Sequence, residues 1–479
     1  MDVEQLFSSP RLSDAVSAAI GAHGDRPAIS RGDETWSYRR LGAAIAEVAR
    51  ALRAEDGPIL YAPSNTPVAV ATILGAIAAG RVPVLPDPTW TEAERLEVVR
   101  RCGIRRVLTE APAEAAWLAN PRPIGAVHLH DVALPAVERD DVVPRLDTAF
   151  CRFTSGTTGF SRCLEFTHAA ALAAARGWWR AVRYGADDVV LCLATLNNGL
   201  AFNTSLLAVL LPGAHLVFHG GPMIPSAIAA TSRRTPPTAV VAFPFVYDGL
   251  AGGRHRLETS RLRLAVSSAA PLKPETGEAF RAHHGVVVSN YYGLVEAGPC
   301  TFNDGSVPGS VGYRLDGVDF KITDGGAAPG RLCVRSAAMA SGFLDRRGPA
   351  LAAALDDEGY YVTNDLAELG PGGHVLLRGR LGRLINIEGR KIDPGEVEGV
   401  IRGVAGVTDA VVCEETADGR TLIAAYVESS ALASADLIPV FHHHLAPYTR
   451  PQRIRVLPRF PRSSAGKILF SELTTPGVP

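Results

Sequence analysis

The sequence lacks an excess of either charge: 48 Lys and Arg stand against 49 Asp and Glu in 479 residues. A formal charge of −1 gives no electrostatic reason to expect nucleic acid or an acidic membrane as partner. A long apolar run is also missing. The longest, Val68 to Ala79 followed by Gly80-Arg81, is too short to cross a bilayer and fits a buried core helix. The first residues, MDVEQLFSSPRL, have no basic start followed by an apolar stretch, so no signal peptide is expected there. Cysteine is sparse, seven residues scattered at 102, 151, 163, 192, 300, 333 and 413. The number is odd and no pair has metal or redox spacing, which points to a reducing compartment and a cytoplasmic location. Neither an internal repeat nor a low-complexity tract is present.

What is present is apolar sequence in quantity: 47% hydrophobic residues, enough for a large core in two to four folded units. The first half alternates helical and strand-like segments. Ala43 to Leu52 has helical spacing, Pro58 to Ala62 and Val82 to Leu85 are strand-like, and a helix over Glu92 to Cys102 precedes the strand Arg106 to Leu108. The alternation resumes over Val189 to Val217 and Ala239 to Tyr292, and argues for parallel sheets covered by helices. From about Val307, Gly and Pro punctuate short strands at 320–322, 331–335 and 375–377, a smaller β-rich part. After a boundary near Gly379 to Arg383, helices near Pro394 to Arg402 and Ala435 to His444 alternate with strands at 410–413, 422–427 and 454–457. The last part reads as a compact α+β domain on a hinge, dividing the chain into 1–381 and 382–479.

The segment with most chemistry is Phe153 to Arg162, FTSGTTGFSR, which follows an apolar strand from Thr148. Gly156 and Gly159 permit tight turns in which several backbone N–H groups face one anion; Thr154, Ser155, Thr157 and Thr158 add hydroxyls, and Arg162 adds a fixed positive charge. A triphosphate needs such donors, and no Gly-Lys-Ser/Thr of the Walker type follows. On residue types alone a polar hairpin turn remains the other reading.

Residues 154–159 resemble the phosphate loop Thr-Ser-Gly-Thr-Thr-Gly-x-Pro-Lys of the acyl-adenylate-forming enzymes, with Ser161 in place of the proline and Arg162 in place of the lysine. That family includes acyl-CoA synthetases, adenylation domains, aryl-acid activating enzymes and luciferase. Other segments resemble it in order and spacing. Ser268 to Leu272 (SAAPL) is similar to the adenine-side loop, which implies that Ala269, Ala270 and Pro271 border the base. Asn290 to Gly298 (NYYGLVEAG) is similar to the Tyr-Gly-x-Thr-Glu segment; Tyr292 would stack on adenine and Glu296, with Thr157, would hold magnesium, while Val295 stands where threonine is usual. Gly359 to Leu366 (GYYVTNDL) resembles the ribose segment, with Asp365 accepting both ribose hydroxyls. Arg380 would reach the ribose or phosphate, and Gly382 occupies the hinge position. Gly389 to Glu398 resembles the segment that lines a phosphopantetheine tunnel. Pro461 to Ile468 resembles the C-terminal lysine loop, so Lys467 would bridge the acid's carboxylate and the α-phosphate. The resemblance runs from Pro27 to Lys467 and implies a large N-terminal region of layered parallel sheets with a β-barrel-like part, hinged to a small α+β C-terminal domain.

The implied activity is ATP- and Mg2+-dependent adenylation of a carboxylate, then transfer to a thiol. Leu193 to Leu200 (LATLNNGL) corresponds to the acyl pocket, with Asn197, Asn198, Gly199, Phe243, Ser267 and Gly293 as its candidates. A neutral Asn198 cannot balance a buried ammonium, which disfavours an α-amino acid; aryl-acid members of the family place Asn there, so the resemblance implies a small aromatic or hydroxylated acid. Alternatively the two asparagines only satisfy backbone groups. The sequence ends at Pro479, shortly after Lys467, so the expected acceptor is a separate carrier protein or CoA in natural-product assembly. An amine acceptor and a non-catalytic nucleotide-binding relative are the competing readings, and a kinase-like transfer releasing ADP follows from the loop alone. His442 to His444, adjacent on a helix, point in different directions and do not form a metal site; Cys163 reads as a buried thiol and Trp178-Trp179 as packing.

Overall fold

A computed structural model describes residues 2–111, 115–134, 140, 142–154, 161–323, 329–345, 349–381, 385–387, 390–392, 394–417, 420–445, 449–463, 466 and 468–473. The chain packs as two compact units. One comprises Met1–Phe320, Val334–Val362 and Gly370–Val375, the other Lys321–Cys333, Thr363–Leu369 and Leu376–Pro479.

The first unit holds two large sheets. In the seven-stranded sheet the order is Val288–Asn290, Leu264–Ser267, Ala239–Ala242, Val189–Cys192, His215–Phe218, Pro27–Arg31 and Glu34–Ser37. All neighbours are parallel except the final hairpin. The central strands are buried along almost their whole length, as a sheet covered on both faces requires. In the eight-stranded sheet the order is Gly342–Phe343, Cys163–Thr167, Thr148–Phe153, Val82–Leu85, Pro58–Tyr61, Arg106–Thr109, Val127–Val132 and Leu118–Ile124. Its four central strands are parallel and its outer ones antiparallel.

The apolar run of the sequence is the helix Pro67–Ala78, buried on nearly every side and begun by the Thr66 side chain accepting from the Ala69 N–H. Glu92–Arg101 opens with a reciprocal capping box between Thr91 and Glu94. The helix expected from Ala43 begins earlier, at Tyr38, because Ser37 caps the Arg40 N–H. The hairpin Leu118–Val132 is not evident in the sequence. Its outer strand carries Pro121 and Pro123, which an edge tolerates because no further ladder bond is needed there.

The β-rich stretch forms a four-stranded sheet in the order Val318–Thr323, Gly330–Ser336, Tyr361–Leu369 and Val375–Arg380. The C-terminal part of the second unit is the expected α+β domain. Asp409–Ala417, Arg420–Glu428 and Arg453–Leu457 make a three-stranded sheet, and the helices Pro394–Arg402 and Ser434–His444 join it in one core through Val397, Ile401, Leu437 and Phe441.

Gly312 has φ +95°, and a Cβ there would lie 2.0 Å from the Phe302 carbonyl oxygen. Gly312→Ala is therefore expected to destabilise the first unit by at least about 2 kcal/mol, measured as a lower urea midpoint.

Candidate functional site

Four neighbouring parallel strands of the seven-stranded sheet end at the expected substrate and adenine segments. Val189–Cys192 leads into Leu193 to Leu200, Ala239–Ala242 into Phe243, Leu264–Ser267 into Ser268 to Leu272, and Val288–Asn290 into Tyr291 to Gly298. Parallel strands place all these loops on one edge, where open α/β sheets form ligand crevices. Ser267, Phe243, Asn197, Asn198, Gly199, Tyr292, Gly293 and the turn Ala269-Ala270-Pro271 are thereby brought to the same edge.

Local contacts shape that edge. Tyr291 donates its N–H to the Ser267 carbonyl at 3.2 Å, and the Ser268 hydroxyl donates to the Tyr291 carbonyl at 2.8 Å. These bonds leave Ala269 exposed at φ +72°, a left-handed conformation costing an L-residue about 1–2 kcal/mol. Pro271 and Ala270 are exposed beside it. Tyr292 is half-buried; its N–H donates to the Thr301 hydroxyl at 3.1 Å, and its carbonyl accepts from Cys300 and Thr301. Glu296 is half-buried and its carbonyl accepts from the Ala340 N–H at 2.8 Å. Gly293 is set by close approach: a Cβ there would meet the Gly298 carbonyl at 2.7 Å.

The two asparagines separate. The Asn198 side chain accepts from the Leu200 N–H at 2.8 Å, a local backbone role. Asn197 Oδ1, Thr195 Oγ1 and Ser267 Oγ are buried with no hydrogen-bond partner among the described residues. Buried polar atoms are almost always paired, so these orphans mark where a ligand's polar groups can go. Phe243 is buried and stacks on Phe245, centroids 6.0 Å apart. Asn65, which the sequence did not single out, fixes the segment: it donates to the Ala194 carbonyl at 2.8 Å and accepts from the Leu196 N–H at 3.0 Å. The only signal was a polar Ser-Asn-Thr run between a strand and the apolar helix.

In the eight-stranded sheet, Thr148–Phe153 and Cys163–Thr167 carry the neck of the phosphate-loop segment. The Thr154 N–H donates to the Arg162 carbonyl and the Arg162 N–H to the Thr154 hydroxyl, both at 3.0 Å. Ser155, Gly156, Thr157, Thr158 and Gly159 lie outside the described residues. Arg162 does not stand as an isolated charge. Its Nε lies 3.1 and 3.0 Å from the two oxygens of fully buried Asp345, its Nη2 donates to the Asp345 carbonyl, and its guanidinium lies 3.9 Å over the Phe343 ring. Burial pushes the Asp345 carboxyl above its ordinary value and Arg162 pulls it back part of the way.

In the second unit, Asp365 and Arg380 stand on adjacent strands, and Arg380 Nε lies 3.2 Å from Asp365 Oδ1. The Asp365 N–H donates to the Thr363 hydroxyl at 2.9 Å, which itself donates to the Leu332 carbonyl at 2.7 Å. Lys467 and Gly382 lie outside the described residues. The residues flanking the lysine are anchored: Arg462 pairs with Asp409 at 2.9 Å and Glu428 at 2.6 Å, and Arg462 bridges Ile468.

Among the described residues no group of three His, Cys, Asp or Glu could hold a metal ion by itself, and none of the helices is long and apolar enough to cross a membrane. A single carboxylate such as Glu296 suits magnesium, which usually takes one or two carboxylates together with a nucleotide's phosphates and keeps several waters.

Residues 16–344 match the model of the AMP-binding enzyme family. Over 475 residues the chain is 27% identical to a 3-[(3aS,4S,7aS)-7a-methyl-1,5-dioxo-octahydro-1H-inden-4-yl]propanoyl:CoA ligase of Mycobacterium tuberculosis, covering 90% of this chain and 91% of the relative. It is 25% identical to 4-coumarate–CoA ligase 3 of Oryza sativa subsp. japonica, covering 98% and 93%. Its fold is similar to that of o-succinylbenzoate CoA synthetase from Bacillus subtilis in complex with an acyl-adenylate, with TM-score 0.80, 21% identity and coverage of 96% and 97%.

Arg162→Ala would leave Asp345 buried without its partner, at an expected cost of about 3–5 kcal/mol. The folded carboxyl then binds its proton more tightly than the unfolded one. The loss is therefore full above the folded pKa and shrinks as pH falls through it. Urea midpoints of variant and parent should differ more at about pH 7 than at about pH 5.

Proposed function

The chain belongs to the AMP-binding enzyme family and is an acyl-adenylate-forming ligase; from that premise we propose that it activates a small aromatic or hydroxylated carboxylic acid with ATP and passes the acyl group to a phosphopantetheine thiol. The acceptor is CoA or a separate carrier protein, and natural-product assembly is the setting that suits a free-standing enzyme of this type. The observation that carries the reading is the convergence of the acid and adenine segments at the carboxyl ends of four adjacent parallel strands. CoA ligases of aromatic and alicyclic acids among the relatives support the thiol acceptor.

In the first half-reaction a carboxylate oxygen attacks the α-phosphorus, the bond to the bridging oxygen of the β-phosphate breaks, and pyrophosphate leaves. In the second, the thiol sulfur attacks the acyl carbon, AMP leaves, and the thiol proton is released. Thr154, Ser155, Gly156, Thr157, Thr158, Gly159 and Arg162 would form the phosphate loop, with the Thr154–Arg162 bonds holding its ends together. The Arg162–Asp345 pair keeps that neck rigid, and its charge is already balanced. Tyr292 would lie against adenine, with Ala269, Ala270 and Pro271 as the exposed turn beside the base. Asp365 would accept from the ribose hydroxyls, with Arg380 Nε 3.2 Å from its Oδ1. Glu296, with Thr157, would hold magnesium, which when bound screens the phosphate charge. Lys467 would contact the carboxylate and α-phosphate, easing the approach of two anions. The boundary between 381 and 382 is proposed as the hinge that carries Lys467 with the C-terminal α+β domain.

Carboxylate-dependent exchange of labelled pyrophosphate into ATP tests the reading. Strong exchange with one class of acid is expected, falling about 100–1000-fold in Lys467→Ala. AMP, rather than ADP, should then accumulate when CoA or a carrier protein is added. Formation of ADP, or no exchange with any acid by protein that binds ATP, would refute it.

A further inference from the structure

One charged residue of the first unit has no role in the scheme above. Arg152 lies in the apolar strand Thr148–Phe153 and is 2% exposed. Its guanidinium carbon is 5.5, 4.8 and 5.0 Å from the ring centroids of Phe150, Phe166 and Phe202. Neither Nε nor Nη1 has a hydrogen-bond partner among the described residues. Burial lowers the Arg152 pKa to about 10, so the side chain is cationic at neutral pH.

An unpaired buried charge is strongly unfavourable, and a fold that retains one needs an anion to complete it. The three ring faces attract the cation but cannot accept its N–H bonds. Gly199 of the proposed acid segment adjoins the guanidinium. A Cβ placed on Gly199 would lie 3.4 Å from Arg152 Nη1 and 3.6 Å from Asn203 Nδ2, so the absent side chain leaves room against the fork. Gly199 belongs to the same segment as the unpaired Asn197 Oδ1, and Tyr291 adjoins Ser267 and Tyr292 through its backbone.

We propose that Arg152 binds a second carboxylate on the acid substrate, so that the chain adenylates dicarboxylic acids at the carboxylate remote from this arginine. The inference rests on the adenylation reading and specifies its substrate. A planar guanidinium with an unused Nη1 beside Gly199 matches a carboxylate better than a triphosphate, which needs donors from several sides. The reacting carboxylate is an unsuitable partner for it. That group loses its charge as the acyl-adenylate forms, and tight binding to its anionic form would stabilise the ground state over the transition state. A remote carboxylate stays anionic throughout.

Pyrophosphate exchange should be measured on paired acids, glutarate with pentanoate and isophthalate with benzoate, in the parent, Arg152→Leu and Arg152→Lys proteins. The parent should prefer a diacid at least about tenfold in kcat/KM. Arg152→Leu should lower the diacid-to-monoacid ratio about 100-fold, with Arg152→Lys between, because an ammonium keeps the charge and loses the fork. Arg152→Leu should also melt higher than the parent without ligand, since it removes an unpaired buried charge; Arg152→Met replaces it if the leucine variant does not fold. If exchange occurs but monoacids match or exceed every diacid, or if the ratio is unchanged in Arg152→Leu, the proposal is overturned while adenylation stands. If no acid supports exchange, the adenylation reading fails instead, and Arg152 is judged by melting temperature with the same acids. A rise with diacids only, absent in Arg152→Leu, supports the carboxylate site; no rise overturns it.

Discussion

The parallel pairing of the seven-stranded sheet is the constraint on which the first unit's chemistry depends. Residues more than ninety positions apart, from Asn197 to Tyr292, meet because four adjacent strands run the same way and end together. Parallel pairing requires covered faces, and the almost wholly buried strands supply them. The loops bury residues such as Leu196 and Phe243 and also carry glycines, asparagines and a strained alanine. Fixed by the sheet below and by backbone bonds such as Tyr291 to Ser267, they form an edge whose unsatisfied atoms are few and localised.

Periodicity made much of the fold legible. The apolar run became the buried helix Pro67–Ala78, the capping residues Thr91 and Glu94 marked a real helix start, and the C-terminal helices and strands fall where their patterns placed them. What escaped was sequence whose environment outweighs its local signal. Arg39 and Arg40 hide the first turn of the helix that Ser37 caps, and Pro121 and Pro123 disguise an edge strand.

The site was legible as motifs and less so as contacts. Nothing in LATLNNGL tells that Asn198 spends its side chain on the Leu200 N–H while Asn197 keeps an oxygen unpaired. Gly293 reads as a candidate for the pocket wall, and the sequence does not tell that a Cβ there would meet the Gly298 carbonyl. Arg162 reads as a charge for phosphate, and its partner Asp345 lies 183 positions away. Arg152 shows itself only as a basic residue in an apolar strand. The settings of Arg162 and Arg152 depend on contacts distant in sequence, which local pattern does not encode.

Asn65 has a further consequence, one of timing. It joins the loop after one strand of the eight-stranded sheet to the loop after a strand of the seven-stranded sheet, through two hydrogen bonds spanning 129 and 131 residues of chain. Contacts of such separation carry a high loop-closure entropy and form after the local ones. The segment Leu193 to Leu200 therefore cannot take its shape when its own neighbours fold. It must wait until both sheets exist, which makes this loop among the last parts of the first unit to be completed.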